Sequence, residues 1–421
     1  VTNNGLLVVR GSSALNGALT TAVGSTLRIE GINTGAALTV TSGLTNAALI
    51  ELTDVVAGYG ASLTVSGGPL TNAPTGTIVA RTGLNGPRTL TAALTNQGLV
   101  TLERPLTLNG VSAVHTNSGT IDVTGGVLTL TQSGTTPSFT NTSTGTINLT
   151  NGWTVSGGTL DVTVGTLSGA GLLTVNNASF LYTFASVPRT LSLTNVTTTP
   201  ADLTIPTGQS LTLVSSNFAA PVTNSGTLTL TGSTLTGPVT NNGLLVVRGS
   251  SALNGALTTA VGSTLRIEGI NTGAALTVTS GLTNAALIEL TDVVAGYGAS
   301  LTVSGGPLTN APTGTIVART GLNGPRTLTA ALTNQGLVTL ERPLTLNGAS
   351  AVHTNSGAIN VTGGTFTVTQ SGTTPSFTNA STGTIAVSAG RTFSVTGGTL
   401  DLSTGLVSGT TGTLVTSGVT P

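Results

Sequence analysis

Short runs of alternating apolar and polar residues recur along the chain, and most of them follow a bend in which Asn stands two places before Gly. The pattern is clearest in residues 3–9, 96–102, 117–123 and 224–230. The first and third positions of each run are apolar, whereas the middle position holds Val, Glu, Thr, Asp or Asn. Because successive side chains of a strand point to opposite faces, this alternation predicts half-buried β-strands whose middle position faces solvent.

The spacing of the bends predicts how the strands are arranged. Successive bends lie 26, 24, 21 and 24 residues apart in the first part of the chain, and 17 apart at one later place. The asparagines that mark these bends are Asn46, Asn72, Asn96, Asn117 and Asn141, and then Asn224 and Asn241. A period of roughly 17 to 26 residues matches one coil of a parallel β-helix, an all-β fold. Stacking then brings like residues together, so we expect the recurrent asparagines to form hydrogen-bonded ladders.

A longer repeat contains these coils. Residues 1–110 recur without change as residues 239–348, an offset of 238. We therefore expect two superrepeats, residues 1–238 and an incomplete second one at 239–421, in one continuous solenoid rod whose coils contact mainly their neighbours. The chain starts and ends inside a repeat, so we expect it to be a segment of a longer protein.

The composition argues against several classes of partner and cofactor. Charged residues make up 6% of the chain and sum to zero, and there is no Lys and no Cys. A basic surface for nucleic acid, a disulfide and a zinc–thiolate site are therefore not expected. Polar residues interrupt every apolar run, so no membrane insertion is expected either. We predict no cofactor and no metal site.

Candidate catalytic carboxylates are few. Glu51 and Asp54 come closest to a pair, but they stand at different phases of a turn and are interpreted as isolated, solvated charges. Asp122 becomes Asn360 in the second copy, a change that a catalytic carboxylate would not tolerate. The sequence thus predicts no catalytic residue and no enzyme, although a carbohydrate-active β-helix enzyme stays open as an alternative.

Other charged residues are interpreted as surface pairs. Arg28 and Glu30 lie two apart on one strand, and Glu103 and Arg104 are adjacent. Exposed pairs of this kind contribute about 0 to 1 kcal/mol, so they indicate no function.

The second copy bears on two further residue types, histidine and tryptophan. His115 and His353 are one histidine seen twice, without the partner residues that a metal site needs. Trp153 stands 238 residues before Arg391. Because Arg at the equivalent place favours solvent, Trp153 is expected to point outward.

The stretch 179–206 departs from the rhythm and contains three rings in a chain otherwise poor in them, Phe180, Tyr182 and Phe184. These rings either fill extra core space in a wider coil or form a contact patch for a sugar or a partner protein. Thr-x-Thr runs at residues 227–231 and 365–370 add a different alternative, an ice-binding surface, although Thr is also an ordinary outward-facing strand residue.

Asn-x-Gly-Thr-Ile runs such as residues 117–121, combined with segments such as 125–130, resemble the filamentous haemagglutinin and autotransporter-passenger class of bacterial surface proteins. The resemblance covers nearly the whole chain and implies a right-handed parallel β-helix that is secreted to the cell surface. It implies a role as an adhesin stalk or extracellular fibre and carries over no catalytic residue. The expected partners are further repeats or subunits of the same protein, together with surface glycans or other cells.

Overall fold

A computed structural model describes residues 1–409 and 411–420. It divides into two compact units, Val1–Ala201 and Asp202–Pro421. Both units are parallel β-solenoids, and the chain has about 19 turns of about 22 residues. This confirms the all-β class, the parallel β-helix and the predicted coil length. The division at Ala201 comes before the second copy of the superrepeat begins at Val239.

The first unit consists of three parallel sheets, and most coils contribute one strand to each sheet. The strands of the first sheet are Thr2–Asn3, Leu19–Thr21, Leu44–Asn46, Leu70–Asn72, Leu94–Asn96, Val114–Asn117, Ser138–Asn141, Thr159–Asp161, Ser179–Leu181 and Thr197–Thr199. Those of the second sheet are Leu6–Val9, Thr26–Gly31, Leu49–Asp54, Thr77–Ala80, Leu99–Leu102, Thr120–Val123, Thr146–Leu149 and Thr166–Ser168. Those of the third sheet are Ser12–Leu15, Ala36–Val40, Ala61–Val65, Arg88–Thr91, Leu106–Val111, Leu128–Ser133, Trp153–Ser156, Leu173–Asn176 and Thr190–Thr194.

The second unit repeats this arrangement. Its first sheet contains Leu203–Ile205, Val222–Asn224, Val239–Asn241, Leu257–Thr259, Leu282–Asn284, Leu308–Asn310, Leu332–Asn334, Val352–Asn355, Ser376–Asn379 and Thr399–Asp401. Its second sheet contains Ser210–Val214, Thr227–Thr231, Leu244–Arg248, Thr264–Gly269, Leu287–Asp292, Thr315–Ala318, Leu337–Leu340, Ala358–Val361, Thr384–Val387 and Leu406–Ser408. Its third sheet contains Asn217–Phe218, Thr234–Leu235, Ser250–Leu253, Ala274–Val278, Ala299–Val303, Arg326–Thr329, Leu344–Ala349, Thr365–Ser371, Thr392–Thr396 and Thr413–Ser417. Among the described residues of both units, the only helix is the 3-10 segment Phe184–Ser186.

Neighbouring coils stack in register. In the first sheet Leu70 pairs with Leu44, and the Thr and Asn that follow pair with their counterparts in the coil below. The alternating runs place their first and third residues in the core, as shown by Ile50 and Leu52, both fully buried. Each coil thus covers the apolar side chains of the next, and burying one such side chain contributes roughly 1.5 to 3 kcal/mol.

The asparagines of the bends form the predicted ladder inside each unit. Asn72 Nδ2 donates to Asn96 Oδ1 at 2.7 Å, and Asn96 Nδ2 donates to Asn117 Oδ1 at the same distance. The ladder continues from Asn117 to Asn141 at 2.8 Å. These side chains have no exposed surface. Since a buried polar group without a partner costs about 1 to 3 kcal/mol, the ladder fixes both the side chains and the register.

The glycine of the bend is required by a close approach between coils. A Cβ on Gly76 would overlap the carbonyl oxygen of Asn46 and Oδ1 of Asn72. A Cβ on Gly98 would likewise overlap the carbonyl oxygens of Ala73 and Gly76. Any larger residue at these places would push the bend away from the coil beneath it, which explains why Asn-x-Gly marks so many coils.

Candidate functional site

The main concentration of charge in the first unit lies on its second sheet. Glu51 accepts from Arg28 Nε at 2.8 Å and from Arg81 Nη2 at 2.6 Å, and Arg81 Nη1 reaches Glu103 Oε1 at 2.9 Å. We call these four residues the ionic cluster. The second unit repeats it with matching distances at Arg266, Glu289, Arg319 and Glu341.

Beside the ionic cluster, Asp54 binds the backbone of the loop at residues 84–86. Its carboxylate accepts the backbone N–H groups of Leu84, Asn85 and Gly86 at 3.0, 3.0 and 2.8 Å. It also forms a salt bridge with Arg88, and both side chains are almost completely buried. Four donors therefore converge on one carboxylate, a structural arrangement that leaves little room for a substrate.

The pKa values of these acids match their contacts. Burial alone raises the pKa of Glu51, but hydrogen bonds and charge from Arg28 and Arg81 outweigh it, so the pKa lies below its usual value. Burial also raises the pKa of Asp54, but the hydrogen bonds from backbone N–H groups and the contact with Arg88 outweigh this effect. The pKa of Asp54 therefore also lies below its usual value. Carboxyls with lowered pKa values stay ionised at neutral pH and are poor proton donors.

This geometry corrects the interpretation of Glu51 and Asp54 as isolated, solvated charges, since both are buried and paired. It also corrects the expected surface pairs, because Arg28 binds Glu51 rather than Glu30, and Glu103 binds Arg81 rather than Arg104. Glu30 pairs with Arg10 at 2.6 Å. Alignment of the strand at residues 26–31 with the strand at residues 49–54 could have revealed the first pair, because Arg28 and Glu51 are cross-strand neighbours in the sheet.

Trp153 is also placed differently from the expectation. It has no exposed surface, and its ring contacts the edge of Phe139 with centroids 5.1 Å apart. Trp153 pairs with Leu128, and Phe393 pairs with Phe366, the residue 238 places after Leu128. The structural counterpart of Trp153 is therefore Phe393, because the second copy has two extra residues just before that strand.

The three rings of the irregular stretch are divided between core and surface. Phe180 and Tyr182 are 1% and 3% exposed and stack with centroids 5.1 Å apart. Phe184 is half-buried, and the Arg189 guanidinium lies 4.7 Å from its ring centroid. Phe180 and Tyr182 therefore fill the core and are not accessible for a surface contact, which leaves Phe184 as the accessible member of that set.

His115 and His353 lie in the core at equivalent positions. His115 Nδ1 accepts the backbone N–H of Leu94 at 3.2 Å, and its Nε2 has no partner. Burial lowers the pKa of each histidine to about 4. Both side chains are therefore neutral at pH 7, and they are packed against Phe139 and Phe377.

Stability should consequently fall between pH 6.5 and about 4. The pKa of each histidine is lower in the folded than in the unfolded chain. The contribution of the neutral histidine to the free energy of unfolding is therefore complete above pH 6.5, and it is lost as the pH drops towards the folded pKa. Each histidine accounts for roughly 3 kcal/mol. The carboxylates with lowered pKa values lose their contribution to stability mainly at lower pH. Urea denaturation at pH 7.0 and 4.7 measures the decrease in the free energy of unfolding. The double variant His115→Phe with His353→Phe should show a much smaller decrease. Equal losses in both proteins would contradict the assignment.

The third sheet carries outward columns of hydroxyl and amide side chains. In consecutive coils of the first unit, Thr89, Thr107, Thr129, Thr154 and Thr174 form one column of paired residues. The neighbouring column holds Thr91, Asn109, Thr131, Ser156 and Asn176. Thr91 Oγ1 contacts Asn109 Oδ1 at 2.6 Å, so some of these groups are engaged with each other.

Residues 1–409 and 411–420 contain no group of three or more side chains positioned to hold a metal ion. They also contain no helix with the length and apolarity needed to cross a membrane. No protein-family model matches the chain, and no curated protein matches its sequence significantly.

Proposed function

We propose that the chain is part of an extracellular stalk or fibre that holds an adhesive region away from a bacterial cell, as its resemblance to haemagglutinin-type surface proteins implies. The observation that carries this is the reuse of one set of coils. The Arg28–Glu51 contact and its copy Arg266–Glu289 both measure 2.8 Å. Repetition of coils adds length, while the paired charges are used to hold the coils together.

A catalytic role is not part of this proposal. The acids that approach one another, Glu51, Asp54 and Glu103, bind arginines or backbone N–H groups. A carbohydrate-active enzyme needs carboxylates that are free to exchange protons or attack a sugar. The saturation of these three acids supports a structural role.

Immunolabelling of the source cells tests the location and role. Antibodies against the chain are expected to label intact cells, and cells lacking the gene should attach less to surfaces or to each other. Cells lacking an unrelated surface protein provide the control. Labelling that requires permeabilisation, or unchanged attachment in the deletion strain, would contradict the proposal.

The outward column of threonines on the third sheet favours a second candidate, an ice-binding surface. Regularly spaced hydroxyl groups on a flat sheet can order water. Purified chain should then show thermal hysteresis that Thr107→Lys with Thr129→Lys abolishes, and freezing behaviour identical to that of an inert protein would exclude this candidate.

A further inference from the structure

A groove arises in each unit where bends of different length stack. In the first unit the bends that follow Thr21 and Asn72 contain four residues each, whereas the bend that follows Asn46 contains only Ala47 and Ala48. The short bend lies between the two long ones in the stack. The walls are two coils apart, about 10 Å from backbone to backbone. The resulting groove has a volume of about 530 Å³, and we call it the bend groove.

The bend groove combines apolar and polar surfaces. Ala47 and Leu49 form part of its lining, with Val23 on one wall and Thr75 on the other. Thr75 Oγ1 donates to the carbonyl oxygen of Ala47 at 2.9 Å, which ties the long bend to the short one. Val23 is 76% exposed. The lining is thus fixed by the coil stack and open to solvent.

One lining residue is a buried hydroxyl without a partner. Ser25 is 3% exposed, and its Oγ has no hydrogen bond in the structure. Ser263 repeats this in the second unit, where it lines the equivalent groove of about 500 Å³. A buried hydroxyl left unpaired costs about 1 to 3 kcal/mol, so rotation of this hydroxyl towards a polar group of a ligand in the groove is favourable.

The charges along the groove cancel. Arg81 and Glu103 line its far end and bind each other, while Arg81 also binds Glu51. The ionic cluster contains two guanidinium and two carboxylate groups. Each terminal nitrogen of Arg81 carries a second N–H beyond the one directed at a carboxylate. The groove therefore offers hydrogen-bond donors and acceptors without net charge.

We propose that the bend groove binds a neutral polysaccharide strand. A sugar chain presents hydroxyl groups to Ser25, the threonines and Arg81, and C–H faces to Leu49 and Val23, and it introduces no charge that the cluster would repel. This rests on the proposed function, since it names the glycan contact of an adhesive stalk. Two equivalent grooves on one chain strengthen attachment to a polymeric ligand through a high effective concentration.

Affinity electrophoresis of the whole chain tests this proposal, with dextran, laminarin or mannan in the gel as neutral probes and polygalacturonate as the charged probe. At least one neutral polysaccharide should retard the chain. Ala47→Trp with Ala285→Trp fills both grooves and should abolish the retardation, whereas either substitution alone should leave an intermediate effect. Ser25→Ala with Ser263→Ala should weaken binding about 2- to 10-fold, the loss of one neutral hydrogen bond per groove.

Gln97→Trp with Gln335→Trp is the matched control, because Gln97 occupies the same place in a bend outside the groove. This pair should keep full retardation, and circular dichroism establishes that all variants are folded. No retardation by any neutral probe, retardation by polygalacturonate alone, or retardation that survives Ala47→Trp with Ala285→Trp would overturn the proposal. Immunolabelling of intact cells and the attachment of cells lacking the gene would then still test the proposed stalk function separately.

Discussion

Replacement of Asp54 by alanine is expected to destabilise the first unit by about 3 to 5 kcal/mol. The substitution leaves the Arg88 guanidinium buried without a counterion and removes the acceptor for three backbone N–H groups of the loop at residues 84–86. Urea denaturation followed by circular dichroism measures the free energy of unfolding, and hydrogen exchange of residues 82–88 locates the loss.

The chain provides its own controls for this prediction. Asp292→Ala should cause a similar loss in the second unit, where Asp292 binds Arg326 in the same way. Asp122→Ala should cost less than about 1 kcal/mol, because Asp122 is half-buried on a strand surface. Asp54→Ala combined with Arg88→Met should recover part of the loss, since no charge stays buried. A loss from Asp54→Ala as small as that from Asp122→Ala would contradict the role of Asp54 in binding the loop and Arg88.

Replacement of Asn96 by alanine is expected to cost roughly 3 to 5 kcal/mol. Asn96 donates to Asn117 Oδ1 at 2.7 Å and to the carbonyl oxygen of Thr120 at 3.1 Å, and it accepts from Asn72 at 2.7 Å. The substitution removes this donor from Asn117 Oδ1 and from the Thr120 carbonyl oxygen, and it removes one of the three acceptors of Asn72 Nδ2, which keeps the carbonyl oxygens of Gly76 and Leu99. Each buried polar group that loses its partner costs about 1 to 3 kcal/mol before relaxation. Equilibrium urea denaturation again provides the measurement.

Thr95→Ala is the matched control, because Thr95 belongs to the same strand but points outward and is half-buried. Its effect should stay within about 0.5 kcal/mol. Asn334→Ala tests the copy of the same ladder in the second unit, where Asn334 donates to Asn355 at 2.7 Å. If Asn96→Ala and Thr95→Ala had equal effects, the ladder would not be what holds neighbouring coils in register.

The features predicted correctly from the sequence are those that depend on local pattern and repetition. Alternating runs such as residues 96–102 reveal which side chains are buried, and the recurrent asparagines imply their ladder because stacking places like beside like. The handedness of the solenoid stays a prediction from the family resemblance.

The errors arose where contacts depend on the register between coils. Arg28 and Glu51 are 23 residues apart and meet only because their strands are neighbours. Arg391 stands 238 residues after Trp153 in the sequence, yet the two extra residues of the second copy make Phe393 the structural counterpart of Trp153. The bend groove follows from bend lengths that are visible in the sequence, but its shape requires knowledge of which bends are adjacent.

Repetition of coils is expected to provide length. Electron microscopy of chains with one, two and three copies of residues 1–238 tests it most directly. At about 22 residues per coil, 238 residues make about 11 coils, so each added copy should lengthen the particle by about 50 Å at constant width. Particles that widen while their length changes little would contradict the claim.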